Sequence, residues 1–286
     1  MNGSLMDNNT ATDFFSSEIG NTWFDKDIIS ILLKRYPTKI APILEKIYDF
    51  SLSAQRIAKT IEKECVKLPK KNVLIIGVEL PDRYEDMRKI EKQITKTRNN
   101  FVFDTIQPFG SGKFEHLNAI LKRHDLSKFD WLIVTDDDVD IPDNFVDHLI
   151  CVLDHYNFKI GQPAHNFISY TTYTVTRRQF NSIARVTNFV EIGPIFAFHR
   201  DVFSELLPFP DVGMGWGLDI HWSFLANKKN WRMGVVDALP IRHLRPVGSG
   251  YKAKNALEAA GFFLKEYEKI SRQDILRTKK IFSSWN

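Results

Sequence analysis

The chain has 286 residues, 43% of them apolar, with 39 Lys and Arg against 35 Asp and Glu, for a formal charge of +4. That apolar fraction at this length supports a sizeable core and excludes a wholly disordered chain, while so mild a basic excess suits small anionic ligands and gives no argument for nucleic acid. Two cysteines, Cys65 and Cys151, make neither a disulfide framework nor a zinc pattern, and no apolar run reaches the length of a membrane span.

Residues 1–21 are polar and rich in Asn, Ser and Thr, the composition of a disordered segment. They lack the basic start and apolar stretch of a secretory leader, so a reducing, cytoplasmic compartment is expected, with at most peripheral contact with a membrane. Asp27 to Arg35 reads as a short helix that stops before Pro37. Ile40, Ile43, Leu44, Ile47, Tyr48, Ala54, Ile57 and Ile61 then recur at helical spacing. This 22–70 segment holds no residue set suited to chemistry. It is expected to pack on the main domain or on a sister subunit of a homo-oligomer.

The pattern changes at Lys71. Asn72 to Glu79 reads as a buried strand, Tyr84 to Thr97 as a charged helix, and Phe101 to Phe103 as a second strand. Gly110-Ser111-Gly112 opens a helix with Phe114, Leu117, Ile120 and Leu121 on its apolar face. Gly112-Lys113 is not a phosphate loop, because Gln107 and Phe114 stand where glycine and Ser or Thr are required. A third strand follows at Trp131 to Val134. This alternation predicts a parallel α/β sheet, whose ligands lie at the carboxyl ends of the strands.

The third strand breaks into Asp136-Asp137-Asp138, with Asp140 after Val139. Clustered carboxylates repel unless protons or a cation intervene, and a hard divalent ion such as Mn2+ or Mg2+ meets that need. Side chains two apart on extended backbone share a face, so Asp136 and Asp138 can reach one ion. A solvated acidic turn is the alternative. Beyond it, Pro142 and Asp143 open a helix to about His155, and Ile160 to Pro163 leads into a stretch dense in Thr, Tyr and Arg. Phe189 to Arg200 reads as a strand. Gly213, Gly215 and Gly217 form a loop around Trp216 that ends in Asp219 at a helix start, where the dipole favours an acid. A strand at Met233 to Asp237 precedes Arg242-His243-Leu244-Arg245. The tail from about Ala253 reads as a basic helix.

In this order the features resemble the GT-A-type nucleotide-sugar glycosyltransferases over roughly residues 72–250. Asp136-Asp137-Asp138 is similar to their DxD motif, Gly215-Trp216-Gly217-Leu218-Asp219 to their glycine-rich acid loop, and His243 to their late histidine. Gln162-Pro163, Phe189-Val190-Glu191 and Gly234 to Asp237 also resemble a sparsely characterised glycosyltransferase family with a Gly-Trp-Gly-Leu-Asp loop. The resemblance implies a Rossmann-type central sheet flanked by helices, with a nucleotide-sugar and metal half at 71–150, an acceptor half at 151–250 and a helical tail at 251–286. It implies a metal held by Asp138 and His243 with Asp136, and Asp140 as the alternative ligand. A nucleotide sugar, expected to be a UDP-sugar, would meet Asp136, Asp137, Val78, Glu79, Lys113 and Asn118, with Arg242 and Arg245 at the diphosphate. Helix-surface solvation competes for Lys113 and Asn118, and plain core packing for Val78. Asp219 would be the general base of an inverting transfer, its competing role being a helix N-cap. Trp216, Gly217 and Glu191 would face a glycan or glycolipid acceptor. His165, His199 and His221 read as structural. Two other classes remain open: a metal-dependent nucleotidyltransferase or phosphoesterase, and a silent binding module. The first wants a basic glycine-rich loop that Gly77 to Pro81 does not supply. The second has no use for Asp136, Asp138, Asp219 and His243 together.

Overall fold

The computed structural model describes residues 37–54, 56–110, 112–246, 261 and 275–285. The expected disorder of residues 1–21 and the helix at Asp27 to Arg35 lie outside them, as does most of the C-terminal tail. Two helices open the described chain, α1 (Pro37–Ala54) and α2 (Ile57–Lys67). The apolar spacing reads as one helix, but Arg56 takes a left-handed conformation (φ 58°) and breaks it. The remaining helices are α3 (Tyr84–Ile94), α4 (Lys113–Leu121), α5 (Phe145–His155), the single turn α6 (Phe203–Leu206) and α7 (Leu218–Lys229).

The strands are β1 (Asn72–Val78), β2 (Asn100–Ile106), β3 (Trp131–Thr135), β4 (Val139–Asp140), β5 (Ile160–His165), β6 (Ala184–Thr187), β7 (Ile195–His199), β8 (Met233–His243) and β9 (Thr278–Phe282). They make a nine-stranded sheet in the order β2-β1-β3-β7-β5-β8-β6-β9, with β4 on β8. The molecule is thus α/β, a central sheet flanked by helices.

The sheet is mixed rather than parallel. β1 pairs parallel with β2 and β3 as expected, but β7 lies antiparallel between β3 and β5. The reason is where β7 begins. Ile195 pairs with Thr135, so β7 starts beside the carboxyl end of β3 and runs back along it. Only Ile195–His199 of the Phe189 to Arg200 stretch is strand. β8 continues six residues past Asp237, and Thr278–Phe282 forms the edge strand β9 rather than the expected helix.

Alternation along β1 and β3 sorts the core onto two faces. Val73, Ile75, Trp131 and Ile133 pack with α2, α3 and α5, while Leu74, Ile76, Leu132 and Val134 pack with α4, α7 and Phe196. All of these strand side chains are fully buried. At about 1.5–3 kcal/mol for each large apolar side chain, this double layer is what holds the carboxyl end of β3 in place. Across β6 and β8, buried Asp237 takes Arg185 through two oxygens, at 2.7 and 3.0 Å, and also Ser182 Oγ.

Candidate functional site

β3 is buried at every position, and the chain leaves the sheet after Thr135 straight into the three aspartates. Asp136 N–H donates to the Pro194 carbonyl at 2.8 Å, which fixes the turn against the start of β7. A Cβ on Gly193 would stand 2.8 Å from Asp136 Oδ2, so a side chain there would push the carboxylate aside. Each carboxylate meets a protein cation. Lys113 Nζ, at the start of α4, lies 2.5 Å from Asp136 Oδ1 and donates to the Ile192 carbonyl. Arg83, on the single turn after β1, lies 3.1 Å from Asp137 Oδ1 and 3.8 Å from Asp138 Oδ2. His243 Nε2, at the end of β8, lies 3.2 Å from Asp138 Oδ1.

The electrostatics follow from burial. Desolvation pushes Asp137 above the ordinary carboxylate range, and Arg83 offsets this only in part. Burial acts the same way on Asp138, but His243, Arg83 and Lys113 outweigh it and hold that carboxyl low. Burial would lower His243, yet Asp138 and Asp136 raise it. Mutual repulsion, from which the sequence predicts a divalent ion, is therefore answered in this structure by Lys113, Arg83 and His243.

The donor set nevertheless suits an ion. His243 Nδ1 lies 3.2 Å from the Tyr170 carbonyl, which can only accept, so Nδ1 carries a hydrogen. Nε2 then faces a carboxylate and needs a proton or a cation between them. Ligands on adjacent corners of an octahedron with bonds of about 2.1 Å lie about 3 Å apart, close to the Asp138–His243 spacing. Among the described residues no three His, Cys, Asp or Glu side chains are grouped to hold a metal, so Asp136 does not join Asp138 and His243 in the expected three-ligand set. Asp140 on β4 is exposed and pairs in register with Arg242 of β8, whereas Val139 pairs with His243.

Asp219 stands at the second position of α7, whose N-cap is Gly217 in a left-handed conformation (φ 96°). The carboxylate is therefore not the cap. It is buried, with Oδ1 accepting from Ile220 N–H at 2.9 Å. Burial pushes it up to about 7 against that bond, and the charge of Glu191 adds to the rise. The charge of Glu191 also adds to the rise at His243.

The other expected residues fall into two groups. Lys113, Asp136, Asp137, Asp138 and His243 come together. Glu79 is buried and paired with Arg88 and Thr105, and Val78 packs against the core face that holds Leu74 and Ile76. Asn118 clamps the backbone of Phe209, donating to its carbonyl and accepting from its N–H, both at 2.8 Å. Arg242 is exposed, and Arg245 pairs with Asp86 of α3 at 2.9 Å. Trp216 packs against a cluster of Tyr173, Val175, Phe189, Ile220 and Ile275. Glu191 is buried. Its Oε1 accepts from Thr171 and Thr176, its N–H donates to Gln162 Oε1, and its Oε2 lies 3.5 Å from His165 Nε2. Burial would raise it, but His165 and the two threonines hold it low. Sequence reasoning reads His165 as structural only, and it misses Arg83 and Ser169. Their only signal is indirect, an arginine just past a strand end and a stretch dense in hydroxyls.

No family model matches the chain, and no curated protein matches it. Among solved structures it is similar to GalNAc-T7 with UDP, GalNAc and Mn2+, at 9% identity and a TM-score of 0.47, covering 69% of this chain and 50% of that one. It is also similar to Staphylococcus aureus TarS 1-349 in complex with UDP-GlcNAc, at 12% identity and a TM-score of 0.44, covering 71% and 68%. A197 from STIV is a third, at 12% identity and a TM-score of 0.38, covering 61% and 86%. The chain thus spans half the length of the GalNAc-T7 structure. With identities this low and every TM-score below 0.5, these likenesses decide neither activity nor substrate.

Proposed function

We propose that the chain is a nucleotide-sugar glycosyltransferase that works with a divalent cation and inverts the anomeric centre. One observation supports this reading: Asp138 and His243 lie 3.2 Å apart at a strand's carboxyl end, beside Lys113 and Arg83. Asp138 and His243 are the proposed ligands of Mn2+ or Mg2+, which when bound neutralises charge growing on a leaving diphosphate. Lys113 and Arg83 supply positive charge beside the same carboxylates, and Asp136 is the proposed contact to the donor's ribose. Asp219 takes the proton of the acceptor hydroxyl as that oxygen bonds to the anomeric carbon. The bond to the diphosphate breaks at the same time and its electron pair leaves with the nucleotide. A carboxyl that titrates near 7 suits a general base at neutral pH. A UDP-sugar is the proposed donor, and a glycan or glycolipid hydroxyl in polysaccharide or glycoconjugate synthesis the proposed acceptor.

The test is a panel of nucleotide sugars scored for Mn2+-dependent nucleotide release, with and without sugar acceptors. Release from at least one UDP-sugar, abolished by chelator, is expected. Pyrophosphate formed from a nucleoside triphosphate and a sugar phosphate, with no nucleotide sugar consumed, would replace this reading with a nucleotidyltransferase.

A further inference from the structure

Residues 166–178, the first part of the 166–183 connection from β5 to β6, bond two members of the site. Ser169 Oγ accepts the His243 backbone N–H at 2.8 Å, and the Tyr170 carbonyl accepts from His243 Nδ1. Tyr170 N–H returns a bond to the His243 carbonyl at 3.1 Å. Thr171 and Thr176 donate to Glu191. Ser169 Oγ also bonds His165 Nδ1 at 2.8 Å, and His165 faces Glu191. The ring of the proposed ligand His243 is thus held by the Tyr170 carbonyl and its backbone by Ser169 and Tyr170, all of one connecting segment.

That segment is held in turn by α1. Arg178 Nη1 lies 2.7 Å from Glu45 Oε2 and its Nη2 lies 2.8 Å from Asp49 Oδ1. Glu45 Oε1 accepts from Phe167 N–H. Tyr48 meets the rings of Phe167 and Phe180 edge-on, each at 5.0 Å, and the Arg178 guanidinium lies over its face. The arginine side chain is 2% exposed, against 16% for Glu45. A buried charge of this kind is strongly destabilising when left unpaired, and both Glu45 and Asp49 pair with it here. Both ends of the segment, Phe167 and Arg178, converge on one glutamate of the N-terminal helix.

We propose that Glu45 and Arg178 are positioning residues for the site: their ion pair clamps residues 166–178 into a strap that holds His243 and Glu191. This rests on the proposed function for its meaning, but not for its test. Partners that orient a metal-ligating histidine typically alter metal affinity by about 10- to 100-fold, and a clamp acting through such partners belongs at the lower end.

The test uses the full chain with Glu45→Gln and Arg178→Ala, checked for fold by circular dichroism and melting. Histidine-selective nitrogen NMR, with His243 assigned from a His243→Gln spectrum, follows exchange of the Nδ1 proton. Calorimetry measures UDP binding in the presence of Mn2+. In folded variants, well below the melting temperature, at least about tenfold faster Nδ1 exchange and about tenfold weaker UDP–Mn2+ binding are expected. A lower melting temperature with unchanged His243 exchange would overturn the proposal, since it leaves a stabilising role only. If Arg178→Ala does not fold, Glu45→Gln decides, because its amide oxygen still accepts from Phe167 N–H while the charge is gone. If the wild type binds no UDP with Mn2+, the proposed function fails, and His243 exchange alone still decides the clamp.

Discussion

In the proposed mechanism Asp219 ties catalysis to stability through a single proton. Its folded-state value of about 7 lies above the ordinary 3.8, so between those two pH values the folded chain holds a proton that the unfolded chain has lost. Stability contributed by that proton is fully present below about 4 and is lost as pH rises through 7. Each pH unit between them costs about 1.4 kcal/mol, an order of 4 kcal/mol in all for so buried a group. Asn keeps the shape and removes the ionisation. Asp219→Asn should therefore melt higher than wild type at pH 8, with the gap narrowing at pH 5, while transfer falls by at least about a hundredfold. Thermal melts at the two pH values and initial rates test this, and a pH-independent gap would refute it. Wild-type kcat/KM should show an acid limb near 7. At Asp138 the same scale gives a sharper contrast with Asp140. Asp138→Asn should abolish Mn2+-dependent UDP binding in calorimetry, whereas exposed Asp140→Asn should retain it; the opposite result would move the ligand to Asp140. The acids and His243 were legible because carboxylates after an apolar strand, or beyond a glycine loop, stand out along the chain. Arg83 was not, because its role depends on where a turn 54 residues upstream of Asp137 folds back.

At the scale of elements, strands with strong apolar alternation were readable and those defined by pairing partners were not. β1 and β3 carry their own signal, but β6 and β9 are short and mixed in polarity, with β6 paired between β8 and β9 and β9 paired on β6. The glycine loop was legible as flexible, while its real constraint is contact. A Cβ on Gly215 would sit 2.0 Å from the Phe114 ring, and φ is +85°. Gly213 shares the positive φ, at +58°, but has open space around it. Gly213→Ala should cost only the left-handed backbone strain, about 1–2 kcal/mol. Gly215→Ala should add overpacking of about 1–3 kcal/mol, felt where α4 presents Lys113 to Asp136. Urea denaturation of both variants checks the difference. Equal losses would mean that Phe114 moves aside freely.

For the whole molecule, the N-terminal helices are expected from sequence to pack on the main domain or on a sister subunit, and the structure divides that role between them. Ile57, Ile61 and Cys65 of α2 are buried in the core face with Val73, Ile75 and Trp131, and Cys65 Sγ donates to the Asp147 carbonyl on α5. α1 instead buries Ala41 and Tyr48 against Phe167, leaving Ile43, Ile47 and Phe50 between 49% and 75% exposed. Two buried isoleucines at about 1.5–3 kcal/mol each amount to a large share of the 5–15 kcal/mol that holds a typical domain together. Truncation should therefore act in steps. Removing residues 1–21 should leave transfer unchanged. Removing residues 1–54 should leave a folded chain with a lower melting temperature and weaker UDP–Mn2+ binding, because the Glu45–Arg178 clamp goes while the α2 core stays. Removing residues 1–67 should abolish cooperative unfolding and solubility. Calorimetric melts with light scattering separate the cases. A fall in mass after removing 1–54, with binding unchanged, would assign α1 to subunit packing instead. A cooperative, soluble chain lacking residues 1–67 would show that α2 adds nothing the core requires.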